Sequence, residues 1–219
     1  MHNKPAAAIF DMDGTLFDSE KQFLHNWSVT AAEFGLRDAD EALYRCLGAN
    51  WRQVEDIFVQ KYGPDVPFAA LKERALARYT HVPAPVKPGV PELLAWLQRR
   101  GVPMAVASGS MEATIRWRLE NAGIAGYFAA VVDGNRGLRS KPAPDIFLEA
   151  ARQLEAEPTE CWVMEDSFSG VRGARAAGMY CIMVPDMVPP DEEIRRLATV
   201  VLPSLAEAVP YLAQWYGEE

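Results

Sequence analysis

The sequence predicts an α/β chain, a Rossmann-like parallel sheet core with an α-helical module inserted near its start. Three observations predict it. From Val90 onward, apolar runs of strand length alternate with amphipathic helical stretches. A long stretch of purely helical character separates the first such run from the rest. Where it ends, Val82-Pro83-Ala84-Pro85-Val86-Lys87-Pro88-Gly89 reads as a linker. The expected division is a core of residues 1–15 and 87–219, with the helical module at 16–86.

Residues 6–11 read as a buried strand. Phe23, Leu24, Trp27, Ala31 and Phe34 then keep helical spacing until Gly35 stops them. Leu43, Leu47, Val54, Ile57, Phe58 and Tyr62 imply further helices, closed by Gly63-Pro64. Leu71 to Tyr79 is another amphipathic stretch. Beyond the linker the expected elements are helix 90–100, strand 103–107, helix 111–122, strand 129–133 and helix 144–156. Strand 161–165, helix 169–177, strand 180–184, a short strand near 199–202 and helix 204–214 complete the series. In such a sheet, ligands bind outside the carboxyl ends of the strands.

Bulk composition narrows the function. Half the residues are apolar (49%) and a quarter charged (24%), as in a soluble globular protein. A net charge of −8 argues against nucleic acid or an anionic membrane surface as partner. It does not exclude a small anion, because a bound cation reverses the local field. The chain has no apolar run long enough to span a membrane, and aspartates interrupt the N-terminal apolar stretch too early for a secretory leader. Cys46, Cys161 and Cys181 lack metal-binding spacing and read as buried hydrophobes of a reducing, cytoplasmic compartment. His2, His25 and His81 have no ligand partner at helical spacing.

Chemistry gathers at four expected strand ends. The first run stops in Asp11-Met12-Asp13-Gly14-Thr15. Residues i and i+2 of a strand point the same way, so both aspartates are expected to face one spot. Two such charges call for a cation or a shared proton. The second strand stops in Ser108-Gly109-Ser110, a turn suited to an anionic oxygen and equally to a plain helix cap. Lys141, before Pro142 and Pro144, is either a fixed ammonium at the sheet edge or a solvated lysine. The fourth strand stops in Glu165-Asp166, which fits either a hard-cation site with Asp11 or a helix cap. The order along the sheet is acid pair, hydroxyl, lysine, acid pair.

In that order the chain resembles the haloacid dehalogenase-like hydrolase superfamily. Phe10-Asp11-Met12-Asp13-Gly14-Thr15-Leu16 is similar to its first motif. Ser108, Lys141 and Glu165-Asp166 match the other three. The helical insertion resembles a C1-type cap, and the segments around Lys141 and Glu165 look most like the β-phosphoglucomutase-like branch. The resemblance implies a Mg²⁺-dependent phosphatase acting on a small phosphorylated metabolite, such as a sugar phosphate. Asp11 is then the nucleophile and Asp13 the acid and base. Ser108, Gly109 and Lys141 bind the phosphoryl group. Asp11, the Asp13 carbonyl and Asp166 hold the metal, with Glu165 beside its shell.

Asp13 favours phosphoryl transfer over dehalogenation, which needs no proton donor there. Mutases of the family carry a histidine, an arginine and a lysine where this chain has Phe23, Trp51 and Met111. A phosphatase is therefore expected over a β-phosphoglucomutase-type mutase. A non-catalytic phospholigand-binding protein is the remaining alternative, and it sits poorly with the retained Asp11 and Asp13. Substrate choice is expected to fall to cap residues Asn50, Trp51 and Arg52, with Lys72 and Arg74 as further cations and Trp51 as a stacking face. A monomer with no macromolecular partner is expected.

Overall fold

The computed structural model describes residues 4–46, 51–79 and 82–216. Six parallel strands form one sheet in the order β3-β2-β1-β4-β5-β6. They are β1 (Ala7–Phe10), β2 (Met104–Ser108), β3 (Ala130–Asp133), β4 (Cys161–Glu165), β5 (Tyr180–Met183) and β6 (Val200–Val201). The chain builds outward from β1 to β2 and β3, then crosses back to place β4 on the other flank of β1. That reversal opens a crevice at the carboxyl end of β1, where Asp11 follows.

The two-residue period of the strands builds two cores. Ala8 and Phe10, Met104 and Val106, and Trp162 and Met164 enter one apolar cluster. Ala7 and Ile9, Ala105 and Ala107, and Cys161 and Val163 enter the other. All four residues of β1 are fully buried, as a central parallel strand covered on both faces must be. Helices α5 (Val90–Arg99) and α6 (Glu112–Asn121) lie on the first face. Helices α7 (Asp145–Gln153) and α8 (Phe168–Ala176) lie on the second.

Helices α1 (Glu20–Glu33), α2 (Asp40–Cys46), α3 (Trp51–Tyr62) and α4 (Phe68–Tyr79) pack about a third core. Its centre is aromatic. Trp27 lies 5.7 Å from Phe58 and 6.1 Å from Phe68, centroid to centroid. The segments leading in and out of these helices run side by side. The amide of Asp18 donates to the Pro85 carbonyl, and that of Lys87 to the Leu16 carbonyl, both at 2.9 Å.

The expected elements are present: β4 has the expected bounds, β2 and α8 are shifted by one residue and most others are shorter, with added 3₁₀ turns at Ala125–Tyr127, Pro158–Glu160 and Gln214–Tyr216. Helix 204–214 is a 3₁₀ turn (Leu205–Glu207) leading into α10 (Ala208–Ala213). The connection before β6 contains a further helix, α9 (Glu192–Leu197). Its six residues are too few to show a helical period, yet Asp191 caps it by accepting from the Ile194 amide at 2.8 Å. The three cysteines are free and buried. Among the described residues, no helix is long and apolar enough to cross a membrane.

Candidate active site

The strand ends converge as the sequence pattern requires. Asp11 and Glu165 continue the alternation of Ile9 and Val163, so both reach the face covered by α7. The loop that enters α7 carries Lys141, whose bond to Pro142 is cis. Lys141 Nζ donates to Asp11 Oδ1 at 2.5 Å, to Glu165 Oε1 at 2.6 Å and to the Ala107 carbonyl at 3.3 Å. Its side chain is only 13% exposed, so the solvated-lysine alternative is out. Burial alone would depress the ammonium, but Asp11 and Glu165 outweigh it and push Lys141 above its usual range.

Glu165 is completely buried and its carboxylate is fully engaged. Oε2 accepts from the amides of Asp166 and Ser167 and from the Ser167 hydroxyl, at 2.8–2.9 Å. Gly170 leaves the space for it: a Cβ there would collide with that carboxylate. The cap of α8 is Ser167, which accepts from the Gly170 amide at 3.0 Å. Asp166 is therefore not the helix cap. It receives the Thr15 hydroxyl at 3.0 Å and lies against Gly14, whose φ of +81° and bare Cα admit it.

Asp11 and Asp13 do not share one set of partners. Strand β1 ends at Phe10, so the i, i+2 argument does not carry through the turn that follows. Asp13 accepts from the Ser19 hydroxyl at 2.7 Å and the Ser110 hydroxyl at 2.9 Å, and it pairs with the buried guanidinium of Arg118. Arg118 comes from α6, across the sheet from Lys141. The pair remains electrostatically linked. Burial first, then Glu165 and Asp13, against the pull of Lys141, push Asp11 up to about 8. Burial, with Glu165, Asp11 and Glu20, raises Asp166 well above the carboxylate range.

Ser108 is 2% exposed, and its Oγ accepts from the Ser110 amide at 3.0 Å. The turn is braced from β3. Asn135 Nδ2 donates to the Gly109 carbonyl at 2.8 Å, and Asp133 accepts from the Glu112 amide at 2.9 Å. Met111, not a serine, holds the N-cap position of α6.

Sequence reasoning assigns no role to Ser19, Arg118 or Lys87, and it names Ser110 only as part of the turn after Ser108. Lys87 donates to the Gly14 carbonyl and to Asp186, each at 2.7 Å, and so ties the aspartate turn to the returning linker. Arg118 carried a readable signal. It occupies a core position of α6 beside Ile115 and Leu119, where an arginine needs a buried anion.

Glu20, the first residue of α1, is pushed up to about 7 by burial, with Asp186, Asp13 and Glu165 adding and Lys87 opposing. The folded state thus holds its proton more tightly than the unfolded chain does. That stability is fully present below about 4.5 and is lost as pH rises through about 7. Glu20→Gln is expected to stabilise the metal-free protein by about 1–3 kcal/mol at pH 8 and hardly at all at pH 4.5, by urea unfolding in chelator.

Asn50 falls outside the described residues. Trp51 stacks on Trp27 at 5.9 Å, and Lys72 Nζ lies 4.1 Å from its ring centroid. Arg52 is exposed on α3, and Arg74 pairs with Glu33 at 3.5 Å. Phe23 packs on Trp27 at 5.5 Å.

Residues 5–178 match the family model for haloacid dehalogenase-like hydrolase. The chain belongs to that family. It is 35% identical over 187 residues to Fructose-1-phosphate phosphatase YqaB of Escherichia coli, covering 84% of this chain and 98% of that protein. A haloacid dehalogenase family hydrolase of Deinococcus radiodurans, solved with bound phosphate and sodium, is 33% identical with a TM-score of 0.75 over 97% of each chain. CbbY from Rhodobacter sphaeroides in complex with phosphate superposes with a TM-score of 0.79 at 25% identity, covering 93% of this chain and 96% of that one. The chain is thus a hydrolase of this family with its α/β fold.

The residues suit a divalent cation. Asp11 and Glu165 are two buried carboxylates on one ammonium, and the buried Asp166 adds a third negative charge that both of them repel, an excess that a hard cation relieves. Among the described residues, no three His, Cys, Asp or Glu side chains form a ready metal cage. Carboxylates of Asp11 and Asp166 with a backbone carbonyl and waters make a set typical of Mg²⁺, which seldom occupies an all-protein cage.

Proposed function

We propose that this chain is a Mg²⁺-dependent phosphatase that hydrolyses a small phosphorylated metabolite, a sugar phosphate above all, through an aspartyl phosphate on Asp11. The observation that carries this reading is Lys141 Nζ shared between Asp11 and Glu165, with Asp166 alongside, at the carboxyl ends of β1 and β4. A carboxylate nucleophile beside a fixed cation is what attack on a phosphate dianion requires.

The Asp11 carboxylate attacks phosphorus, and the bond from phosphorus to the leaving oxygen breaks. Asp13 gives that oxygen its proton. Water then attacks the phosphorus, Asp13 takes a proton from it, and phosphate leaves with Asp11 restored. Lys141 neutralises charge on the phosphoryl oxygens. Ser108, already an acceptor for the Ser110 amide, turns its hydroxyl proton to the same oxygens. The Gly109 turn adds its backbone. Asp11, Asp166 and the Asp13 carbonyl would hold Mg²⁺, with Glu165 fixing Lys141 beside them. When bound, Mg²⁺ supplies charge neutralisation at the phosphoryl oxygens.

Residues 16–86 serve as a cap over this crevice, with the paired segments at Leu16–Asp18 and Pro85–Lys87 as its attachment. The likeness to the Escherichia coli fructose-1-phosphate phosphatase supports the substrate class. A screen of phosphate release over phosphorylated metabolites, fructose 1-phosphate included, tests the reading. Release that needs Mg²⁺ and stops in chelator is expected. No release from any member, p-nitrophenyl phosphate included, would contradict it.

A further inference from the structure

Arg118 is 1% exposed and lies on the core face of α6 beside Thr114, Ile115 and Leu119. A guanidinium there is costly unless an anion meets it. The anion is Asp13, whose carboxylate is 29% exposed and therefore opens to the crevice on one side. Arg118 Nη1 and Ser19 Oγ both donate to Oδ1, while Ser110 Oγ donates to Oδ2. These donors come from three places: the core of α6, the entry to α1 and the turn after β2. The two serines are short and part of turns. Arg118 reaches Asp13 from within a packed helix, anchored where its stem cannot swing.

We infer that Arg118 is the positioning residue for Asp13, setting the angle at which this carboxylate meets the leaving oxygen. The inference rests on the proposed role of Asp13 in proton transfer. It separates the two aspartates by their cations. Lys141 arrives from the α7 face and serves Asp11, while Arg118 arrives from the α6 face and serves Asp13. Without Arg118 the carboxylate loses its buried cation, and its approach to the leaving oxygen is no longer fixed. Phosphoryl binding at Ser108 and Lys141 is left in place, so the loss should fall on proton transfer.

The test compares kcat/KM for p-nitrophenyl phosphate and phenyl phosphate in Asp13→Asn, Arg118→Met and Arg118→Lys. p-Nitrophenolate leaves with little protonic help and phenolate needs more. kcat/KM reports steps only through departure of the leaving group, so slow dephosphorylation does not obscure it. General acid assistance contributes roughly 10²–10⁴-fold, so Arg118→Met is expected to lose about tenfold or more on phenyl phosphate beyond its loss on p-nitrophenyl phosphate. Arg118→Lys should show a smaller gap, and it supplies the comparison if the methionine variant fails to fold. Adding Arg118→Met to Asp13→Asn should widen the gap no further, because the group being positioned is gone. Equal losses on both esters in the Arg118 variants, with a gap in Asp13→Asn, would overturn the inference and leave the role of Asp13 standing. No gap in Asp13→Asn would overturn the proton-transfer role itself, and the inference with it.

Discussion

Asp11→Asn is expected to lower turnover by about 10⁴-fold or more while leaving the fold intact. The amide matches the carboxylate in size, so the pocket between β1 and β4 is preserved. Its oxygen can still accept from Lys141, which meets Asp11 Oδ1 at 2.5 Å. What disappears is the nucleophile. Burial and the surrounding carboxylates already strain Asp11, pushing it up to about 8, so a neutral amide relieves like-charge repulsion. The variant should therefore be at least as stable as the parent without metal, and inert. Phosphate release within tenfold of the parent would show that another group attacks phosphorus.

Lys141→Met is expected to harm both stability and activity. It leaves Asp11 and Glu165 without their shared ammonium in a site where Glu165 is completely buried. Breaking a buried pair by removing one partner costs about 3–5 kcal/mol, and protonation of Asp11 reduces that figure. Urea unfolding in chelator measures it. Turnover should fall roughly 10²–10³-fold, the size seen when a fixed charge-stabilising donor is removed. Saturating Mg²⁺ should restore part of the stability and little of the rate. The two readouts separate because a metal can answer the buried carboxylates without replacing the ammonium on the phosphoryl group. A variant that kept its parent's rate would remove Lys141 from the chemistry.

The legible part of this site is the part that lies on strands. Asp11, Ser108 and Glu165 end or directly follow apolar runs whose two-residue period sets which way each side chain goes. Their meeting at one sheet edge follows from parallel order alone. The less legible part lies beyond the strand ends. Asp13 sits in a turn, so its partners Ser19 and Ser110 depend on how two loops approach. Arg118 is ten residues past Ser108 on a helix that also carries Arg116, and only the apolar positions around it mark it as inward. Burial distinguishes the two arginines: Arg116 pairs with Glu112 on the surface at 2.7 Å.

In the helical insertion, residue type is a weaker guide than on the strands. Trp51 offered a flat face for a sugar. In the fold that face meets Trp27, with Lys72 close to the ring. An aromatic at helical spacing from other aromatics belongs first to the core they share. The same rule places Phe23 against Trp27. Helix α9 is illegible for the opposite reason, since its six residues give a period no room to appear.

The central claim is that Asp11 carries the phosphoryl group between two half-reactions. The most direct measurement quenches the enzyme in acid during turnover of a substrate bearing radiolabelled phosphate, then maps the label to peptides. Label is expected on the peptide containing Asp11, stable in acid and released by hydroxylamine as an acyl phosphate is, and none in Asp11→Asn. Label on another residue, or the same label in Asp11→Asn, would contradict it.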